Sequence, residues 1–484
     1  MSFTTFLFFG FFTLILLGWY LLPGKGRRFW LLAANYVFYM WSMPALGLLL
    51  LATTAVSYGA ARWIGSPEPL RVGQRRAILT AACLIHFGLL FACKYLQMTL
   101  DLLGRIVPGA AGIHVQLLLP AGISFFTFAA TGYLFDVWRG RIQAEKNFLD
   151  YAVFVSFFPC ILAGPIGQAR SFLPQIKTRV RFDAAALKGG LLRFAWGMVQ
   201  KLVLADNLGT LVNAAYGGQI VTPLTWIAVI LLYSLQIYFD FAGYSNMAIG
   251  VAQAMGLRVP ENFNAPYFST SVTSFWKKWH MSLTGWFREY LYFPLGGSRK
   301  GKVRTCLNIL TVFAVSGLWH GAAVHYVVWG LLNGLFQVWE RLTASARNRL
   351  ESRLQGPALR WPYLALRWAL TYCLISLTWL CFRAENLGQL RFILGQILGL
   401  FRSGFGGLDL RSLGLKPGMD TMLLICGGAA VLTDALRARG RSPQRLASTV
   451  LPYYLVMIAL LVTAAVYGVY GEGFNPQDFV YFKY

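Results

Sequence analysis

Residues 224–254 read LTWIAVILLYSLQIYFDFAGYSNMAIGVAQA and hold one charged side chain, Asp240. A helix needs ~20 predominantly apolar residues to cross the hydrocarbon core of a bilayer. Lipid offers backbone amides no partners, so such a run must satisfy its own hydrogen bonds as a helix. A carboxylate there is costly and requires a cationic or hydrogen-bonding partner inside the protein. Arg139, Arg288 and Arg383 are candidate partners for Asp240. A structural ion pair is preferred over a catalytic role for it.

The same texture extends in both directions. Phe3–Leu22 is an uncharged apolar run. No basic residue precedes it and no small-x-small cleavage site follows, so it reads as a membrane span rather than a leader. Lys25, Arg27 and Arg28 come directly after it, which places the N-terminus outside and the first loop in the cytoplasm. Further apolar runs cover 29–40, 46–61, 77–98, 115–134, 151–163 and 191–204, then 307–320, 324–339, 363–382, 422–432 and 451–469. Several are too short to cross ~30 Å at about 1.5 Å per residue, and these are expected to be tilted, re-entrant or buried. The expected fold is all-α: a polytopic membrane protein of roughly eleven transmembrane helices with added re-entrant or interfacial helices. It reads as a single membrane domain over 1–484, without repeats or a separate soluble domain.

Composition agrees. Of 484 residues, 57% are hydrophobic and 13% charged, against about 25% charged in soluble domains. That excludes a soluble enzyme, a disordered chain and a disulfide scaffold. Lys and Arg number 43 and Asp and Glu 18, a net charge of +25. The basic residues lie mostly between apolar runs, as in Arg71/Arg75/Arg76, Lys177/Arg179/Arg181 and Arg437/Arg439/Arg441/Arg445. Positive-inside topology and anionic membrane lipid explain them without nucleic acid. The seven cysteines, Cys83, Cys93, Cys160, Cys306, Cys373, Cys381 and Cys426, form no Cys-x-x-Cys pair and read as buried thiols.

Residues 260–304 break the apolar pattern. From 277 onward, Lys277, Lys278, Arg288, Arg299, Lys300, Lys302 and Arg304 face one acid, Glu289, and Trp276, Trp279, Trp286, Tyr290 and Tyr292 are interleaved with them. Rings beside Lys and Arg suit a helix lying at the membrane interface. The alternative is a basic vestibule for an anionic, phosphate-bearing ligand. Composition favours the interfacial helix, and Pro294-Leu295-Gly296-Gly297 reads as the turn that ends it.

Five histidines are present. His86, inside Leu84–Gly88, reads as a hydrogen-bonded core residue, His325 likewise, and His114 is uninformative. His320 differs, because Gly317 and Gly321 flank it at the end of an apolar run and would let backbone or ligand approach closely. A neutral imidazole there could take a proton from a hydroxyl; an interhelical hydrogen bond is the equal alternative. His280 sits inside the aromatic and basic segment, where it could cap, orient or hold a substrate. There is no phosphate-binding loop, no dinucleotide glycine fingerprint and no nucleophile elbow. The histidines are too dispersed for a metal site.

Together these stretches resemble the membrane-bound O-acyltransferase family. The resemblance is carried by Tyr238–Ser245 (YFDFAGYS), Pro260–Tyr267 (PENFNAPY), Phe275–Leu283 (FWKKWHMSL), Trp286–Gly297 (WFREYLYFPLGG) and Gly317–Gly321 (GLWHG). Leu119–Phe128, Ala163–Ile166 and Trp379–Ala384 extend it over nearly the whole chain, with the motif block at 238–321 at its centre. The subgroup resembled is the alginate O-acetyltransferase type. Asn246, the Lys277-Lys278 pair and Glu289 depart from its usual acid, Arg pair and Asp.

The resemblance implies a helical core pierced by a tunnel and an O-acyltransferase of the bacterial inner membrane. Acetyl-CoA would be the cytoplasmic donor substrate, with no tightly bound cofactor. His320 corresponds to the family's near-universal histidine and His280 to its second site position. Trp276, Lys277, Lys278, Trp279, Ser282, Arg288, Trp319 and Asn264 are the accompanying binding candidates. A separate extracytoplasmic SGNH-hydrolase-like partner and an exported polysaccharide acceptor are also implied. The rival readings are direct acylation of a lipid, protein or teichoic acid hydroxyl, and a non-enzymatic transporter or polymer-export channel.

Overall fold

The computed structural model describes residues 1–470 apart from 42–43, 67–69, 105, 108–113, 116, 118, 179–180, 219–220, 355, 405 and 441–448. Arg179, Arg441 and Arg445 of the expected basic loops therefore lie outside the described residues. Two compact units are present: Met1–Ala195 with Tyr244–Glu261, and Trp196–Gly243 with Asn262–Phe474. Every regular element among the described residues is a helix.

The first unit contains α1 (Phe6–Leu21), α2 (Gly24–Met40), α3 (Leu46–Ile64), α4 (Val72–Gly104), α5 (Ile123–Trp138), α6 (Phe148–Ser156), α7 (Phe158–Ile161) and α8 (Ala169–Lys177). It also holds most of α9 (Ala184–Met198). A π-helical turn, Val199–Ala205, and α10 (Asp206–Tyr216) follow in the second unit, and α11 (Pro223–Ala254) passes from the second unit into the first. The run 151–163 does not make one span. Phe157 leaves helical geometry and Pro159 opens the short α7, so the run divides into α6 and α7.

The core of the first unit is aromatic. Phe3 stacks on Tyr244 at 4.9 Å, Phe8 on Phe194 at 5.8 Å, and Phe38 meets Phe158 at 5.4 Å. The α9 and α11 backbones touch where a Cβ on Gly190 would lie 2.5 Å from the Gly250 carbonyl oxygen. Buried hydroxyls on α3 bond back along the helix, as Thr54 Oγ1 does to the Leu50 carbonyl at 2.7 Å, which satisfies them in apolar surroundings. Arg193 makes two bonds to Glu261, at 2.7 and 2.5 Å, and donates a third to Asn246 Oδ1 at 3.0 Å. With Glu261 already supplying the charge, an amide suffices at 246.

The second unit continues through a 3₁₀ turn (Pro266–Phe268), α12 (Val272–Trp276), α13 (Met281–Phe287) and a π-helical turn (Arg288–Tyr292). Next come α14 (Gly301–His320), α15 (Val324–Leu342), α16 (Ala344–Arg353), α17 (Pro357–Arg383), α18 (Leu387–Leu398), α19 (Leu400–Ser403), α20 (Met419–Ala438) and α21 (Val450–Tyr467). Among the described residues five helices, α4, α11, α17, α20 and α21, are long and apolar enough to cross a membrane. The most apolar stretch of α11 is 61% buried, against 11% for α21. The neighbours of α11 are therefore protein, while α21 presents its apolar surface outward, as lipid contact requires. The chain is a multi-pass membrane protein.

Candidate active site

The segment 262–292 does not form the single interfacial helix favoured by composition. It breaks into short pieces whose rings turn inward: Trp276, Trp279, His280 and Trp286 are all buried. Two residues explain the breaks. Ala265 and His280 adopt left-handed backbone, with φ of 48° and 43°, the only non-glycine residues to do so among those described. Such a conformation costs about 1–3 kcal/mol and persists only where surroundings enforce it. Two cross-ties do so here. The Met281 amide donates to the Asn262 carbonyl at 2.9 Å, and the Asn264 amide to the Lys278 carbonyl at 3.0 Å. Asn262 Oδ1 accepts from Ser282 Oγ at 2.6 Å and faces His280 Nδ1 at 3.4 Å. The imidazole packs against Phe241 at 4.6 Å. Burial, with His320 nearby, holds the His280 pKa well below its ordinary value, so the ring is neutral at pH 7.

His320 ends α14, the helix that pairs with α15. The pairing is a backbone contact: a Cβ on Gly317 would lie 2.3 Å from the Tyr326 carbonyl oxygen, and one on Gly330 2.2 Å from that of Phe313. A Cβ on Gly321 would meet the Tyr326 ring at 2.1 Å. The small residues around His320 thus admit the neighbouring helix rather than a ligand. His320 Nδ1 lies 2.7 Å from the Ser316 carbonyl oxygen. A carbonyl can only accept, so Nδ1 carries a proton, and in the neutral ring the lone pair is then on Nε2. Trp319 and Trp329 pack on the ring at 4.8 Å each and Phe382 at 5.4 Å.

Both histidines line one cavity of about 610 Å³, within the range of small-molecule sites. Its walls include Trp276, Trp279, Leu283, Phe287 and Phe313. The lining also includes five cations, Lys277, Arg288, Arg341, Arg347 and Arg367, and one carboxylate, Glu340. Lys277, Arg288 and Arg341 are exposed where the histidines are buried, so the lining runs from an aromatic, neutral interior to a cationic mouth. Arg367 is partly engaged by Glu351 at 3.3 Å and the Thr270 carbonyl at 3.2 Å, and Arg347 by the Glu340 carbonyl at 2.5 Å. The side chains of Lys277, Arg288 and Arg341 have no protein acceptor among the described residues. The arrangement can hold an anion at the mouth and place imidazole side chains beside it in an aromatic pocket.

Of the residues singled out from sequence, His280, His320, Trp276, Lys277, Trp279 and Arg288 meet in this cavity. Ser282 stands behind it on Asn262, and Trp319 contacts both imidazoles, at 6.2 and 4.8 Å. Asn264 and Lys278 do not line it; their contribution is the backbone tie between them. Asp240 is a structural ion pair, but with Lys201, at 2.8 Å, rather than with the three arginines considered. Lys201 also meets Asp206 at 2.7 Å. His325 and His86 bond to the Cys381 and Ala82 carbonyls at 3.0 and 2.9 Å, and His114 is exposed. Sequence reading missed Asn262, although it lies in the PENFNAPY motif. It also missed Glu340, Arg341 and Arg347, whose only signal was a charged stretch after the apolar run 324–339, and Arg367, which lies inside the run 363–382.

Comparison with known proteins shows the family. A family model described as the membrane-bound O-acyltransferase family matches residues 141–382. A probable alginate O-acetylase of Pseudomonas syringae pv. tomato is 34% identical over 90% of this chain and 82% of its own length. One of Pseudomonas aeruginosa is 36% identical over 80% and 73%. A peptidoglycan O-acetyltransferase of Helicobacter pylori is 33% identical over 79% and 77%. The family model's span includes every residue that lines the cavity, and these likenesses set aside the transporter reading: the chain belongs to the membrane-bound O-acyltransferase family and is an O-acyltransferase.

Proposed function

We propose that this enzyme takes an acetyl group from cytoplasmic acetyl-CoA for the O-acetylation of an exported or cell-surface polysaccharide, with the cavity of His320 and His280 as its active site. The observation that carries the proposal is the His320 ring: it lines the cavity, and its Nδ1 donates to the Ser316 carbonyl, so that in the neutral ring Nε2 is the basic nitrogen. Nε2 removes the proton from an attacking hydroxyl as its oxygen bonds to the thioester carbonyl carbon. The carbon–sulfur bond then breaks, and the departing thiolate takes the proton back from the imidazolium. His280, in the same lining, orients the reacting carbonyl. A phosphate-rich donor such as acetyl-CoA matches the mouth, where five cations outnumber one carboxylate.

The relatives named for alginate and peptidoglycan O-acetylation support a polysaccharide as the final acceptor. In this reading the chain sits in the bacterial inner membrane with its N-terminus outside. A separate extracytoplasmic SGNH-hydrolase-like protein completes transfer to the polymer. The test is incorporation of label from acetyl-labelled acetyl-CoA into envelope extract by purified wild type and by His320→Ala of equal thermal stability. Label incorporated by wild type alone supports the proposal. Equal incorporation by both removes His320 from the chemistry.

A further inference from the structure

We infer that Glu340 is a positioning residue for His280, acting through α12. Its carboxylate accepts the Val272 amide at 2.6 Å, the Thr273 amide at 2.9 Å and Thr273 Oγ1 at 2.7 Å. The first amides of a helix have no partner within it. A helix of five residues such as α12 cannot hold its shape by propagation alone. Glu340 takes the first two amides, and Ser271 Oγ accepts the Ser274 amide at 3.0 Å. A negative charge at this end also complements the helix dipole.

The other end of α12 is gripped from the same helix. One face of α15 carries Trp329, Asn333 and Glu340 at helical spacing. Asn333 Oδ1 accepts Trp276 Nε1 at 3.1 Å, and Trp329 packs on Trp276 at 5.5 Å. The same helix meets α14 through Gly330 and Gly317, which fixes His320. Thus α15 is the common support of both imidazoles. Four residues beyond Trp276, the chain reaches the strained His280. A slip of α12 along α15 would displace His280 relative to His320.

Glu340 is also the lone acid among five cations in the cavity lining, so a purely electrostatic role has a distinct consequence. As a bare charge it would repel an anionic donor, and Glu340→Gln would lower the KM for acetyl-CoA. As a clamp, its oxygens are committed to α12. Glu340→Gln, whose amide nitrogen cannot accept an N–H, would then lower kcat and leave KM little changed.

The kinetic arm rests on the acyl-transfer reading above, and a second arm does not. Wild type, Glu340→Gln, Thr273→Val and the double variant are compared in lipid nanodiscs, using acetyl-labelled acetyl-CoA with envelope extract. Amide hydrogen exchange is followed on the same samples. We expect Glu340→Gln to reduce kcat about tenfold, the size of one lost helix cap. Thr273→Val should have a smaller effect, and the double variant should be less impaired than the product of the singles, because both act on one contact. The Val272 and Thr273 amides should exchange faster while those of α14 do not. A fall in KM at unchanged kcat, multiplicative effects, or unaltered protection at 272–273 would each overturn the inference. If wild type transfers no acetyl from acetyl-CoA, the donor reading fails, and the exchange arm alone decides the clamp.

Discussion

The contact between α14 and α15 yields a quantitative prediction for Gly330→Ala. The added Cβ would lie 2.2 Å from the Phe313 carbonyl oxygen and 3.2 Å from the Gly317 amide nitrogen. Carbon–oxygen contacts ordinarily sit at about 3.3 Å or more, so the two helices must part by about 1 Å. Both neighbours are backbone atoms, which no rotamer change can move aside. Overpacking of this kind costs about 1–3 kcal/mol. The catalytic effect should exceed it, because His320 ends α14 three residues beyond Gly317 and Trp329 adjoins Gly330. A displacement of about 1 Å between reacting groups costs on the order of a hundredfold in rate. The assay pairs thermal unfolding in detergent with acetyl transfer to envelope material. Gly59→Ala on α3 is the control, since nothing lies within 4 Å of the place its new methyl group would take; it should be neutral or slightly stabilising. Gly330→Ala matching wild type in both stability and rate would refute the backbone contact as the element that sets His320.

Three further outcomes follow from the site and its supports. Lys201→Met leaves Asp240 buried without its ion-pair cation and should destabilise by about 3–5 kcal/mol; thermal unfolding should show partial recovery when Asp240→Asn is added. Arg341→Ala removes one exposed cation of the mouth and should raise the KM for acetyl-CoA about twofold to fivefold, with the difference shrinking in high salt. His280 is held neutral by burial, its folded pKa lying below the unfolded value of 6.5. Below that value the unfolded chain binds the extra proton, so the stability from the neutral ring is complete above pH 6.5 and declines as pH falls beneath it. Unfolding curves at pH 7.5 and 5.5 should show this acid loss in wild type and a smaller one in His280→Gln.

Much of this was legible in residue order, for physical reasons that differ by element. The run at 224–254 became α11 because a long, predominantly apolar stretch with one charge admits only a helix in lipid. The histidine pair was found because GLWHG and FWKKWHMSL are local strings. What lay beyond reading came from separate stretches of chain. Lys201 sits in a π-helical turn inside the apolar run 191–204, and nothing local marks it as the partner of Asp240. Arg341, Arg347 and Arg367 look in sequence like topogenic positive charge, and only the packing of α15 to α17 around α12 brings them to the cavity. The interfacial-helix expectation failed at Ala265 and His280, whose left-handed backbone depends on ties between 262–264 and 278–281.

The most direct measurement is single-turnover consumption of acetyl-CoA thioester by His320→Gln in the presence of envelope extract, with acetyl-CoA binding measured on the same preparation. Glutamine keeps a polar side chain but cannot act as a base. Binding should stay near the wild-type value, because the cations proposed to meet the phosphates are untouched, while the rate falls at least a hundredfold, as loss of a general base requires. A His320→Gln enzyme that binds donor and consumes thioester at the wild-type rate would contradict the assignment of His320 Nε2 as the base.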